Sequence, residues 1–358
     1  MSSIQTIYIV PAGPTELRGK IFEPNLPIAP IAPLGGDFLY FFREKGIQVK
    51  TIDAWNPAIH NADDVVVFIN HPDDDILHRF FYFFKYILRG RKRFAISPKE
   101  LSLIRRLFSK KILFQGEPPT NMPYPYVHLK RLAKLYDVIF LYHKMMGVPS
   151  NVFYTMWPRD FREEFESFFA VPKDKFLVMM NNNARPHAFF AKELYSERLR
   201  AIKFFSSSPG FDLYGGRWER KPFFPFWSYR AYVQKCWRGY VNGDKIKTFA
   251  SYRFSLAFEN SQYPGYVSEK IFDSFLAGCI PVYLGAPDVT DYVPADCFID
   301  MRAFKDYGAL LIHLQSLSDV ECALYRDRIK HYLISQKNNI FSKRKFAETL
   351  WGAMINLP

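Results

Sequence analysis

Short apolar runs alternate with longer, charged, amphipathic stretches along most of the chain. In the first half the runs fall at residues 7–10 (IYIV), 65–69 (VVVFI), 112–114 (ILF) and 138–141 (VIFL). A strand buried on both faces of a parallel sheet meets no water, so it reads as a continuous β-branched run rather than an alternation. Between these runs lie helix-like segments such as 98–110 and 127–136, which predicts β/α order. A second series begins with a strand at 176–180 (FLVMM), a helix at 188–205 and a strand at 211–214 ended by Gly215-Gly216. It continues with a strand at 253–258, a helix at 268–277 and a strand at 280–284 flanked by Gly278 and Gly285. The expected fold class is α/β, with two Rossmann-like domains at 1–160 and 161–358 facing a cleft at the carboxyl ends of both sheets, where open α/β folds bind ligands.

Composition narrows the classes of function. The 358 residues are 49% hydrophobic and 18% aromatic, with 36 Phe and 22 Tyr, ample to build two cores. Lys and Arg number 48 against 35 Asp and Glu, a net charge of +13 that favours anionic partners. No RNP-type, zinc-finger or C-x-x-C spacing accompanies that charge, so nucleic acid is not the expected partner. Cys236, Cys279, Cys297 and Cys322 lie far apart and are expected to be reduced and structural. The N-terminus lacks a signal-peptide pattern and no uncharged apolar run is long enough to span a bilayer. The expected location is cytoplasmic, with room for peripheral contact with the inner face of an anionic membrane. Two aromatic and basic stretches, 80–94 and 221–240, read as a buried helix with a basic end and a packed insertion, with contact to a membrane surface as the alternative for the first and an acceptor or membrane contact for the second. The run Asp73-Asp74-Asp75 suggests a D-x-D metal site, but it follows the strand at 65–69 and reads better as an acidic helix start. No metal site is expected.

The richest stretch is 252–285, YRFSLAFENSQYPGYVSEKIFDSFLAGCIPVYLG. It reads as strand, polar turn, helix, strand, with Glu259, Asn260, Ser261, Tyr266, Ser268, Glu269 and Lys270 gathered at the helix N-terminus. Unpaired N–H groups and the helix dipole favour an anion there; Ser268 can cap and Lys270 adds a positive charge. A diphosphate fits this corner. A cap and a turn with no ligand would use the same residues.

The segment closely resembles the C-terminal signature of the α1,3/α1,4-fucosyltransferases, glycosyltransferase family 10, whose pattern runs Y-K-F-x-L-x-F-E-N-S, then Y-[IV]-T-E-K, then [IV]-P-[IV]-x-x-G. The residues Gly265-Tyr266-Val267 look like those of bacterial members, and Ser268 replaces the common Thr with its hydroxyl kept. Residues 176–205 and 211–215 resemble the family's strand, basic helix and Tyr-Gly turn. The resemblance implies that an Arg in that helix contacts the donor phosphates. Arg198 is the best match by spacing to Gly215, with Arg200 and Arg185 as alternatives; a guanidinium suits phosphate because it presents a fixed fork of donors. In the first domain, 112–118 (ILFQGEP) resembles the family's strand and Gly-Glu, which implies that Glu117 is the catalytic base. Here the chain continues Pro118-Pro119-Thr120-Asn121, where relatives often have Asn or Ser-Pro.

The resemblance implies a GT-B type, inverting fucosyltransferase that moves L-fucose from GDP-fucose to a hydroxyl of an acceptor glycan. The first domain would bind acceptor and the second would grip the donor. Glu117 and Glu269 would be catalytic, with Glu269 close to the fucose; Arg198, Asn260, Ser261, Tyr266, Ser268 and Lys270 would bind donor. No cofactor would be required, and stimulation by Mn²⁺ or Mg²⁺ would be non-essential. The implied acceptor is an oligosaccharide or lipid-linked glycan, with fucose placed α1,3 or α1,4 on a lactosamine-like unit. Two other readings remain: the same fold using another nucleotide sugar, and a non-catalytic basic protein that binds glycans or a membrane surface.

Overall fold

In a computed structural model, residues 4–23, 34–72, 97–159, 165–186, 192–223, 225–241 and 244–357 are described. They divide into two units, Met1–Asp160 with Ile340–Pro358, and Phe161–Asn339. The stretch 80–94 and the run Asp73 to Asp75 lie outside the described residues, as do 188–191 at the start of one expected helix.

The first unit is built on a parallel sheet of β1 (Thr6–Val10), β2 (Gln48–Thr51), β3 (Val65–Ile69), β4 (Lys110–Gln115), β5 (Val138–Leu141) and β6 (Val152–Tyr154). The strand order is β2-β1-β3-β4-β5-β6. All residues of β3 and β5 are buried, the physical reason their runs carry no polar alternation. The helix Pro98–Leu107 starts with a capping box: the Ser97 hydroxyl accepts from the Glu100 N–H, and the Glu100 carboxylate accepts from the Ser97 N–H. It ends earlier than the spacing predicts because β4 already begins at Lys110. The helix expected at 127–136 is instead two single turns, Tyr124–Val127 and Leu129–Leu132, separated at His128, whose φ and ψ of −106° and 22° leave the helical region.

The expected second domain, 161–358, requires correction at its end. The helix Lys343–Ile355 belongs to the first unit. Phe346 stacks on Phe38 at 6.0 Å and meets Phe114 of β4 edge-on at 4.8 Å, so an aromatic contact draws the chain terminus back.

The second unit carries β7 (Lys175–Met180), β8 (Phe211–Tyr214), β9 (Tyr252–Phe258), β10 (Ile280–Leu284) and β11 (Ile299–Asp300). Its parallel order is β11-β10-β9-β7-β8. The chain leaves β7 for β8 on one side and returns to β9 on the other, so the order reverses between β7 and β9. Ligands of open α/β sheets bind at the carboxyl end of such a reversal. The core joins Phe254, Leu256 and Phe258 of β9 to Leu199, Ile202 and Phe205 of the helix Tyr195–Phe205. The insertion at 221–240 packs partly on this core through Phe226, Val233 and Cys236, while Trp227 stays exposed. All four cysteines are buried and unpaired.

Candidate functional site

Beyond the end of β9, Glu259 is fully buried. Its Oε1 accepts the Ser268 backbone N–H at 2.7 Å and its Oε2 accepts the Ser268 hydroxyl at 2.5 Å. Lys270 Nζ lies 3.3 Å from the same Oε2 and donates to Ser268 Oγ at 3.0 Å and Glu269 Oε1 at 3.1 Å. Burial pushes the Glu259 carboxyl above the usual carboxylate range, against the pull of Lys270. Burial also works against the Lys270 ammonium, but the Glu269 and Glu259 carboxylates outweigh it and hold the group above its ordinary value. The close approach depends on the next strand: a Cβ on Gly285 would fall 2.5 Å from Glu259 Cγ and closer still to the Tyr283 hydroxyl.

This geometry changes the expected role of Ser268. It occupies the N-cap position of the helix Glu269–Leu276, yet its side chain makes no cap hydrogen bond. The hydroxyl is committed to Glu259 instead, so the Ser268 side chain leaves the first-turn N–H groups uncapped.

Arg198 comes to the same place from the helix Tyr195–Phe205. Although it is only 3% exposed, its Nε and Nη2 donate to the Phe258 carbonyl at 3.1 and 2.6 Å. Nη2 also donates to Asn260 Oδ1 at 2.9 Å, and the positive charge is close enough to act on Lys270. Of the three candidate arginines, Arg198 alone joins the cluster: Arg200 is exposed and paired with Glu197 at 2.7 Å, and Arg185 is exposed. Asn260 is fixed at both ends, its carbonyl accepting from the Leu194 N–H at 3.0 Å. Ser261 is fully buried and bridges to Glu193. Tyr266 is buried, with its carbonyl accepting from the Tyr283 hydroxyl at 3.4 Å. Glu269 remains about one-third exposed at the helix start, at 31%.

Glu259 is the hub of this cluster; the sequence placed it at the helix start but assigned it no part in donor binding or catalysis. The available signal was a carboxylate placed directly after the apolar run RFSLAF, with a helix start nine residues on.

A second support lies beside this cluster, at the ends of β7 and β8. The Asn182 side chain accepts the Gly216 N–H at 2.7 Å, and the Asn181 carbonyl accepts the Trp218 indole N–H at 2.7 Å. Gly215 has φ 130°, and a Cβ there would collide with the Asn181 carbonyl, so the two loops can interlock only around glycine. Trp237 of the aromatic insertion donates its indole N–H to the Gly215 carbonyl at 3.1 Å.

In the first unit, Glu117 is half-buried just past β4. Asn70, following β3, adopts φ 61° and uses one oxygen to accept both the Gly116 N–H at 2.8 Å and the Glu117 N–H at 3.1 Å. The Glu117 carbonyl accepts from the Tyr126 hydroxyl at 2.6 Å, and its carboxylate Oε2 accepts from Asn121 Nδ2 at 2.7 Å. Beneath this loop, His71 donates its backbone N–H to Gln115 Oε1 at 3.0 Å, and its Nδ1 lies 2.9 Å from the Tyr136 hydroxyl. Burial, helped by Arg105 and Arg131, pulls the imidazole down to about 3, so it is neutral near pH 7.

Among the described residues, no three His, Cys, Asp or Glu side chains form a group that could hold a metal ion. No helix among them is long and apolar enough to cross a membrane.

Residues 195–346 match the family described as glycosyltransferase family 10 (fucosyltransferase), C-terminal part. Over 89 residues the chain is 43% identical to alpha-(1,3)-fucosyltransferase 4 of Bos taurus, covering 24% of this chain and 22% of that protein. Over 79 residues it is 34% identical to an alpha-(1,3)-fucosyltransferase of Helicobacter pylori, covering 22% of this chain and 16% of the relative. The aligned part is thus well under two-thirds of either relative's length. At the level of fold, the chain superposes on the crystal structure of an α1,3-fucosyltransferase with a TM-score of 0.53 and 14% identity, covering 99% of this chain and 91% of that one. An alpha-glucosyltransferase in complex with UDP and DNA superposes with a TM-score of 0.58 and 11% identity, covering 99% and 100% of the two chains. Both likenesses establish the fold alone, which is shared by enzymes of different donors; the sequence match over 195–346 is what separates them. Through residues 195–346, the chain is similar to glycosyltransferase family 10, the fucosyltransferases.

Proposed function

We propose that this chain transfers L-fucose from GDP-fucose to a hydroxyl of an acceptor glycan, with inversion at the anomeric carbon. The observation that carries this reading is the convergence of Arg198, Lys270 and the N-terminus of the helix Glu269–Leu276 at the point where the second sheet's order reverses. As the bond from fucose to diphosphate lengthens, negative charge grows on the leaving GDP. Fixed cations and N–H groups therefore stabilise the transition state more than the ground state. The position of Lys270 is set in advance by Glu259, Ser268 and Glu269, so little reorganisation is needed as charge develops.

In this reading Asn260, Ser261 and Tyr266 shape the donor site, and Glu269 faces the sugar and its developing positive charge. Glu117 takes the proton of the attacking hydroxyl as general base, held to its task by Asn70 and Asn121. The charge of the diphosphate is met by side chains and a helix end, so chelation with EDTA leaves transfer largely intact. Abolition by EDTA with rescue by Mn²⁺ would overturn that point. The acceptor proposed is a lactosamine-like unit on an oligosaccharide or lipid-linked glycan.

The deciding experiment is a donor screen across GDP-fucose, other GDP-sugars and UDP-sugars against a small glycan array, with mass spectrometry of the products. Transfer from GDP-fucose supports the proposal. A preference for a UDP-sugar supports the second reading, which the fold shared with the alpha-glucosyltransferase allows.

A further inference from the structure

The sheet of the second unit has another end. Where β7 and β9 begin, Lys173, Arg253, Arg326 and Asp319, with Phe169 at the side, line a cavity of about 310 Å³. Three of the four charged groups are cations. The seven residues of β9 separate this cavity from the Glu259 cluster by roughly 20 Å at the usual rise of a strand.

The charges are poorly compensated. Lys173 directs its ammonium at three carbonyls, those of Phe168 at 3.0 Å, Ala250 at 2.6 Å and Ala277 at 2.8 Å, where the short helices around it end. Carbonyls satisfy its donors but leave its full charge in place. Burial, with Arg326 adding to it, pulls the Lys173 ammonium down to about 8. Arg253 donates to the Leu317 carbonyl at 3.1 Å and pairs with Asp319 at 3.2 Å, but that carboxylate is 94% exposed and its charge is screened by water. Arg326 is half-buried and makes no hydrogen bond or ion pair among the described residues. The cavity therefore holds two more cations than anions, and one guanidinium has its donors available.

We propose that this cavity binds a phosphate-type oxyanion, held by the guanidinium of Arg326 with Arg253 beside it and Lys173 supplying positive field from behind. A guanidinium presents paired N–H donors that match two phosphate oxygens, the geometry a point charge lacks. The same chemistry is offered by free phosphate and by the head group of an anionic lipid. The site is independent of the nucleotide reading above.

The test compares the parent protein with Arg326→Gln and Arg326→Lys, at constant ionic strength balanced with chloride. Inorganic phosphate at roughly five times its dissociation constant raises the parent melting temperature by about 2–4 °C, and the rise is lost in Arg326→Gln and partly kept in Arg326→Lys. Sedimentation with phosphatidylglycerol vesicles, against phosphatidylcholine vesicles, identifies the source. Arg326-dependent retention on the anionic vesicles assigns a lipid head group, and a phosphate response without retention assigns a free anion. A phosphate response equal in parent and Arg326→Gln, or none, together with vesicle binding that ignores the substitution, overturns the proposal.

Discussion

Replacing Glu259 with Gln tests the hub of the donor cluster with almost no change of shape. The carboxylate is fully buried and lies 3.3 Å from Lys270 Nζ. At an effective dielectric of about 20, a pair at that distance attracts by about 5 kcal/mol before desolvation is counted. Two effects reduce the net loss: Lys270 is 18% exposed and keeps Glu269, and removing the Glu259 charge also removes its own burial penalty. The Gln carbonyl can still accept from the Ser268 N–H, but one of its positions becomes an NH₂ facing the Ser268 hydroxyl and the ammonium. The expected net destabilisation is about 2–3 kcal/mol, or roughly 4–12 °C for a unit of this size. Differential scanning calorimetry measures this, and isothermal titration with GDP follows alongside. Affinity should fall with stability, because Lys270 and the helix start lose the group that holds them. Glu259→Gln protein that melts and binds GDP like the parent would show that the buried pair does not organise the site.

Lys270→Ala removes one charge-assisted contact, worth about 1.5–3 kcal/mol, so GDP-fucose affinity should fall roughly 10- to 150-fold by titration; unchanged affinity and rate would remove Lys270 from the site. Glu117→Gln should leave folding and GDP-fucose affinity intact while kcat falls by about 10²- to 10⁴-fold. A rise in the acceptor KM with kcat unchanged would make Glu117 a binding residue instead of a base. His71 is held near pKa 3 in the fold against an ordinary 6.5, so the unfolded chain takes up the proton first on acidification. Its contribution to stability is complete above pH 6.5 and is lost progressively towards pH 3, about 2 kcal/mol of it by pH 5. Denaturant melts of parent and His71→Phe protein at both pH values measure this, and an equal acid response in the two would refute it.

What could be read from sequence follows from how local each feature is. The strands β3 and β10 are buried along their whole length, and that burial is written into VVVFI and IPVYL without reference to anything distant. By contrast β6 is three residues long with only Val152 buried, too short and too exposed to leave a pattern. The terminal helix could not be assigned to a domain from its own spacing. Its place is decided by Phe346 meeting Phe38 and Phe114, contacts that span most of the chain. The candidate site divides in the same way. Ser268, Glu269 and Lys270 are neighbours in sequence and in space, so a helix start with a positive group could be proposed directly. The buried state of Glu259 depends on Gly285 at the end of another strand, and the support of Glu117 depends on Asn70.

Ser268 shows why a cap pattern misreads this helix. A Ser at the N-cap ordinarily uses its hydroxyl to close the helix, which contributes about 1 kcal/mol to stability. Here the hydroxyl and the N–H of Ser268 both point to Glu259, and the Lys270 ammonium reaches back to the same hydroxyl. The three residues thus form one buried network in which each donor has an acceptor. Arg198 adds a fourth member by gripping the last carbonyl of β9 immediately before Glu259. With all groups ionised, and with Glu269 counted beside Glu259, the two carboxylates and the two cations balance. The geometry is not symmetric, however: Glu259 is sealed at 0% exposure, whereas the helix start keeps first-turn N–H groups that Ser268 does not cap. In the proposed reading, an approaching diphosphate would meet the helix start and the Lys270 ammonium, which is held by Glu259, Ser268 and Glu269. If the proposed donor site is right, the withheld cap trades a small gain in helix stability for an anion site that needs no rearrangement when filled.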